Sequence, residues 1–276
     1  ITTRQDIQIH YVSLDRTPQL WAELEKDDVT LREACGNTVR NVTASETAGI
    51  DPKEPFDVTT YADATFRYFL RNPICQEMGR KFKMAFSSTD EDTGLAYMHD
   101  LGFIPKVKEV NGQQVRGFKV LLGGGLGSQP RHGDTISEFL PTDQIIPFIE
   151  AVLRIFDRHG ERARRNKARM KFLVKEIGIE AFLELVENEK KALPFQSFPL
   201  NFENQDTPAL PNPPAVQAEG ELGLDFELWK LTNVLPQKQE GYVSIGVRVP
   251  LGDFYLDQAR PLADLVENYA AGEVRF

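Results

Sequence analysis

Cysteine is nearly absent: the 276 residues hold two, Cys35 and Cys75, 40 positions apart. That number and spacing exclude a disulfide framework and leave no CxxC pair for zinc or redox chemistry. Long apolar runs are missing too. No stretch approaches the ~18 residues that cross a bilayer, and the first residues lack the charged, apolar, small-residue order of a secretory signal. The sequence therefore predicts a soluble protein in a cytoplasmic setting with no membrane partner. Positive charge is in deficit, with 32 Lys and Arg against 41 Asp and Glu and a net charge of -9. This balance argues against a general nucleic-acid binder, which needs a positive field to displace counterions, so any anion site has to be local. A 41% apolar fraction at this length is enough to bury the core of one large domain or two ordinary ones.

Within that acidic background lies a basic stretch, RKFKMAF at 80–86. At the two-residue period of a strand, Arg80, Phe82, Met84 and Phe86 share one face, while Lys81, Lys83 and Ala85 share the other. Same-face neighbours sit ~7 Å apart, and two ammonium groups at that distance repel by ~2 kcal/mol at an effective dielectric of about 20. Open water shrinks that figure. Two readings stand: a solvated lysine face, or a site for an anion held between the charges.

The rest of the chain mixes strand and helix patterns. In ITTRQDIQIHYV, Ile7, Ile9 and Tyr11 alternate with Arg4, Asp6, Gln8 and His10, the pattern of a half-buried strand. Helical patterns follow over 17–26, behind Thr17 and Pro18, and over 30–42, then a loop over 43–58 and a helix over 61–76. Beyond the lysine strand, GLAYMHDLGFIPKVKEVNGQQVRGFKVLLGGGLG reads as strands joined by an Asn111-Gly112 hairpin turn. From 142 the pattern is helical, with Thr142 as cap and Gly160 as stop, and two more helical segments run through RARRNKARMKFLVKEIG and IEAFLELVENEKKAL. Residues 193–222, rich in Pro, Asn, Gln and Glu, read as a surface linker. After them GYVSIGVRVPLG is a strand, LDQARPLADLVENYAAG a helix and EVRF the lead-in to another strand. Laid on one another, the two ends read as equivalent points of an internal duplication.

Four motifs in order, TTRQDIQIH at 2–10, ACGNTVRNVTA at 34–44, RKFKMAF at 80–86 and GFKVLLGGGLG at 117–127, resemble the sirohaem-dependent nitrite and sulfite reductases. The resemblance covers nearly the whole chain. It implies an α+β fold, a mixed α/β sirohaem-binding domain flanked by pieces of ferredoxin-like (α/β sandwich) half-domains. The implied boundaries are 1–25 for the end of the first half-domain, 26–192 for the sirohaem domain, 193–235 for a linker and 236–276 for the start of the second half-domain. It further implies that Arg40, Lys81 and Lys83 hold an oxyanion substrate, that Arg4 and Gln8 bind sirohaem carboxylates, and that Asn41, Gly124 and Arg131 contact the cofactor. The implied reaction is six-electron reduction of sulfite to sulfide or nitrite to ammonia, with ferredoxin or a flavoprotein reductase as electron donor. The Lys-x-Lys pair leans toward sulfite, because nitrite-type members often have asparagine at the second position. Under this reading the lysine repulsion is answered by an anion and a polycarboxylate macrocycle lying between the charges.

The chain also departs from that family's pattern. The family's 4Fe-4S cluster is held by four cysteines, spaced C-x5-C and C-x3-C, and nothing of the kind occurs here. Neither Cys35 nor Cys75 is carried over as a ligand, the cluster ligands are expected outside this chain, and the segment is expected to lack the reaction by itself. One rival is a non-catalytic tetrapyrrole- or anion-binding module. Another is a phosphate-ligand or nucleotide domain centred on 123–128, although LLGGGLGS fits neither GxxxxGK[ST] nor GxGxxG. RARRNKARMK at 162–171 reads as a solvated helix face or an acidic-partner surface, and His10 and His132 are assigned to no metal.

Overall fold

A computed structural model describes residues 1–200, 223–270 and 272–276, and the chain divides into two units. The larger unit comprises Val12–Gly49 and Lys53–Asn201. Its elements are α1 (Thr17–Glu25), β1 (Val39–Ala44), α2 (Thr59–Phe69), β2 (Phe82–Phe86), β3 (Leu101–Val110), β4 (Gln113–Leu122), β5 (Asp134–Pro141), α3 (Ile145–His159), α4 (Met170–Ile177) and α5 (Ile179–Ala192). The strands form one mixed sheet in chain order. β1, β2 and β3 run parallel, and β3, β4 and β5 run antiparallel.

The core follows from the alternation in β2. Phe82, Met84 and Phe86 are fully buried, whereas Lys81 and Lys83 are half-buried on the opposite side. Phe86 stacks on Phe103 of β3 with ring centroids 4.5 Å apart and meets Phe118 of β4 edge-on at 5.4 Å. Phe82 reaches Phe156 of α3 at 5.6 Å, which fixes that helix, buried along most of its length, to the sheet. Ala85 is buried as well, as is usual for a parallel strand covered on both faces. A smaller cluster of Ala96, Ile104 and Leu121, with Tyr97 packed on it, occupies the face opposite Phe103. The expected hairpin is present: Val110 pairs with Gln113, and Asn111 and Gly112 take φ of 53° and 77°, the left-handed pair that a two-residue turn requires.

The smaller unit comprises Ile1–Tyr11, Ile50–Pro52 and the described residues of Phe202–Phe276. It contains α6 (Leu224–Asn233), an antiparallel pair β6 (Val234–Pro236) and β7 (Val243–Ile245), and α7 (Leu256–Tyr269). The ammonium group of Ile1 donates to the Gly252 carbonyl at 2.7 Å.

Several expectations are corrected. The opening segment is not a strand. Thr2 N–H donates to Asp6 O at 2.9 Å, closing a turn through Gln5 at φ 60°, and Ile7 and Ile9 stay 63% and 53% exposed. Alternation alone does not make a strand, because the ladder needs a second strand to take its N–H and C=O groups. Among the described residues none pairs with it, and the same holds for EVRF. The helical pattern over 30–42 gives way to β1, since Val39 and Val42–Ala44 pair with β2. The helix expected over 61–76 ends at Phe69, after which Asn72 caps a short turn through Ile74 N–H at 3.2 Å. Residues 162–169 hold only a 3-10 turn at Arg165–Lys167, so α4 begins at Met170. Thr142 opens a 3-10 turn instead of capping α3. Most of the expected linker lies within 201–222, outside the described residues.

Candidate functional site

The basic residues of β1 and β2 lie beside one another because the two strands are parallel neighbours. Val39 pairs with Phe82 and Val42 with Met84, so three steps of β1 face two of β2, and the irregularity carries Arg40 and Asn41. Arg40 donates a hydrogen bond to the Ala34 carbonyl. Burial holds the Lys81 ammonium below the usual lysine range, and the charges of Arg40, Arg80 and Arg169 push it further down, opposed by Asp100. Arg80 is likewise lowered by burial and then by Arg165 and Arg169. Its Nε is buried with no hydrogen-bond partner among the described residues.

One buried carboxylate faces these cations. Asp100, fully buried, accepts the Lys83 backbone N–H at 3.0 Å and the Arg169 guanidinium at 2.9 to 3.1 Å through both oxygens. Burial pushes its carboxyl up, and Arg169 and the Lys83 N–H pull it back. Its own carbonyl accepts Gly123 N–H at 2.9 Å. A single residue thus ties together β2, the start of β3, the glycine loop after β4 and the entrance to α4.

The glycine loop is explained by close backbone contact. A Cβ on Gly124 would lie 2.2 Å from Tyr97 O and 2.7 Å from His99 O, so only glycine lets this segment pass. On Gly125 it would lie 3.0 Å from the Arg169 guanidinium. Arg131 donates to Gly123 O at 2.9 Å and pairs with Asp134. Lys171, 5% exposed, donates to Leu126 O at 3.0 Å and Gln129 O at 2.5 Å, pinning the outer part of the loop.

Of the residues singled out from sequence, Arg40, Asn41, Lys81, Lys83, Gly124 and Arg131 lie in the larger unit, and Arg4 and Gln8 in the smaller. Arg4 sits in the 2–6 turn, its N–H donating to Thr2 Oγ1 at 3.3 Å, and Gln8 is exposed. Sequence reasoning missed Asp100, Arg169, Lys171 and the electrostatic part of Arg80. RARRNKARMK is not a uniform solvated face: its last cations enter the structure, the Arg169 side chain being only 15% exposed. The available signal was Ala168 and Met170, which interleave with Arg169 and Lys171 where the apolar period of α4 begins.

Residues 35–193 match the nitrite and sulphite reductase 4Fe-4S domain, and residues 235–276 match the nitrite/sulfite reductase ferredoxin-like half domain. The chain belongs to the nitrite and sulfite reductase family. An assimilatory ferredoxin-dependent nitrite reductase of Haloferax mediterranei is 28% identical over the whole chain and 46% of its own length. A sulfite reductase [ferredoxin] 1 of Mycolicibacterium paratuberculosis is 33% identical over 68% of the chain and 33% of its own length. The chain spans less than half the length of these reductases. The solved Mycobacterium tuberculosis NirA protein superposes with a TM-score of 0.62 at 30% identity, covering 71% of this chain and 35% of that one. Dissimilatory sulfite reductase I shares the fold, with a TM-score of 0.51 at 12% identity.

Reductases of this family use sirohaem and a 4Fe-4S cluster. The cations of the larger unit fit an anionic group: they crowd a half-buried lysine, and Arg80 keeps an unmet donor. The cluster does not fit this chain, because four thiolates are needed and the two cysteines are one exposed and one buried. Among the described residues no group of three or more His, Cys, Asp or Glu is placed to hold a metal. Nor is any helix among them long and apolar enough to cross a membrane.

Proposed function

We propose that this chain is the part of a sirohaem and 4Fe-4S reductase that supplies the cationic pocket for sulfite or nitrite and contacts to the sirohaem carboxylates. The observation that carries the reading is the parallel pairing that sets the Arg40 segment of β1 beside the lysine strand, with Arg169 anchored next to the Lys83 main chain through Asp100. Asp100 pairs with only one of these cations, and the remaining surplus of positive charge in a half-buried place is what a guest anion would relieve. Arg40, Lys81 and Lys83 are assigned to the oxyanion. Arg4, Gln8, Asn41, Gly124 and Arg131 are assigned to the macrocycle, Gly124 through its backbone. Bound sirohaem would supply electrons to the oxyanion. Lys81, with its ammonium lowered by burial and by its neighbours, gives up a proton at Nζ more readily than a solvated lysine and so suits a reaction that consumes protons. Residues 26–192 would form the first sirohaem-binding domain, and 1–25 and 236–276 pieces of ferredoxin-like half-domains; of the expected linker 193–235, the end is occupied by α6 and the start of β6, which leaves 193–223 for that role. Ferredoxin is the proposed donor, since the relatives of Haloferax and Mycolicibacterium carry it in their names.

Lys83 favours sulfite over nitrite. In the reductase containing this chain, Lys83→Asn should lower the ratio of kcat/KM for sulfite to that for nitrite by tenfold or more, and an unchanged ratio overturns the preference. A second reading is a tetrapyrrole- or anion-binding module with no turnover. Sirohaem binding without reduction of either oxyanion, even with the cluster-bearing remainder present, would select that reading.

A further inference from the structure

Asp100 is the least expected member of the basic cluster. A carboxylate with no exposed surface sits among Arg169, Lys81 and Lys83, where a site for anions gains nothing from a negative charge. Its contacts supply a reason. The carboxylate holds the Arg169 guanidinium in a forked arrangement and at the same time fixes the Lys83 main chain, while its carbonyl holds Gly123. Arg169 in turn lies against Gly125, which has no Cβ to displace it. Without that anchor Arg169 would be free to swing away from the cations it faces, and the β2 backbone would lose a contact at Lys83.

Resting on the reading of this cluster as an anion site, we infer that Asp100 is a positioning residue, which presets the spacing of Arg169 and the lysine strand for a polyanionic guest. Two effects of removing its charge oppose each other. A nearby negative charge weakens anion binding, so Asp100→Asn on electrostatics alone should tighten it. Loss of the fork should loosen it, because unanchored side chains must be ordered when the guest arrives. Positioning predicts that loosening wins.

The experiment is an absorption titration of sirohaem into the 276-residue chain, for the wild type, Asp100→Asn, Arg169→Gln and their double variant. Glu150→Gln serves as control: it alters a 4%-exposed carboxylate paired with Arg154 on α3, outside the cluster. Expected are a tenfold or greater rise in Kd for Asp100→Asn, a double variant no weaker than Arg169→Gln alone, and an unchanged Kd for the control despite its lowered stability. Tighter or equal binding by Asp100→Asn overturns the inference, as does an equal loss in the control. A wild type that binds no sirohaem defeats the underlying reading of the site instead. Amide exchange of unliganded Asp100→Asn then decides the inference by itself: faster exchange at Lys83 and Gly123 than in the wild type supports it, and unchanged exchange overturns it.

Discussion

Replacing Arg169 with methionine removes one half of a buried ion pair while keeping much of the apolar bulk. Asp100 is fully buried and the Arg169 side chain is 15% exposed, so solvent screens the pair weakly. Unit charges ~4 Å apart interact by ~4 kcal/mol at an effective dielectric of about 20, and removing one partner of a buried pair typically costs ~3–5 kcal/mol. A loss of ~3 kcal/mol at pH 7 is therefore expected for Arg169→Met. The cost should depend on pH. Burial already pushes the Asp100 carboxyl above its unfolded value, and without Arg169 only the Lys83 N–H and the Lys83 charge oppose that push. The folded variant then binds a proton that the unfolded chain does not, so lowering the pH stabilises it, by ~1.4 kcal/mol per unit across the window between the two values. Between pH 7 and pH 5 the deficit should shrink by up to ~2.7 kcal/mol. Adding Asp100→Asn should recover most of the loss at pH 7, because no buried charge remains to be protonated. Urea unfolding followed by near-ultraviolet circular dichroism reads all of these. An equal deficit at both pH values, with no recovery in the double variant, would refute the electrostatic argument.

Other consequences are simpler. Lys81 is depressed below the usual lysine value of 10.5, so the unfolded chain binds the proton more tightly and stability should rise as the pH climbs toward that value. Lys81→Met should flatten that slope between pH 8 and 10, as followed by the thermal midpoint. Gly124→Ala forces a methyl to 2.2 Å from Tyr97 O and should cost ~3 kcal/mol. Gly112→Ala, with φ of 77° and open space around it, should cost only ~1–2 kcal/mol. Comparing their urea midpoints tests whether contact, and not φ, makes the glycine loop intolerant. Lys171→Met releases the Leu126 and Gln129 carbonyls, so protease cleavage between 126 and 130 should be several-fold faster than in the wild type.

Legibility in the sequence tracked the range of the interactions involved. The two-residue period of RKFKMAF and the Asn111-Gly112 turn are local rules, and β2 and its neighbouring hairpin formed as their side-chain alternation and turn chemistry require. The same period misled at ITTRQDIQIHYV, where the pattern was right for a strand but no neighbour completes the ladder among the described residues. Family resemblance pointed at Arg40, Lys81 and Lys83. It left Asp100 unnoticed because a lone aspartate ahead of an apolar strand looks like any turn residue, and its role depends on Arg169, 69 positions away. The run 162–171 was misjudged for a related reason: charge density suggested solvent, whereas Ala168 and Met170 draw the adjacent Arg169 and Lys171 inward.

The central claim, that this chain seats an anionic tetrapyrrole, is tested most directly by an absorption titration of sirohaem into the chain beside its Arg4→Met/Arg131→Met variant, which removes the two cations assigned to the macrocycle. Saturable binding by the wild type, weakened tenfold or more in the variant and by rising salt, is the predicted result. Equal affinities for the two proteins, or no binding by the wild type, would contradict it.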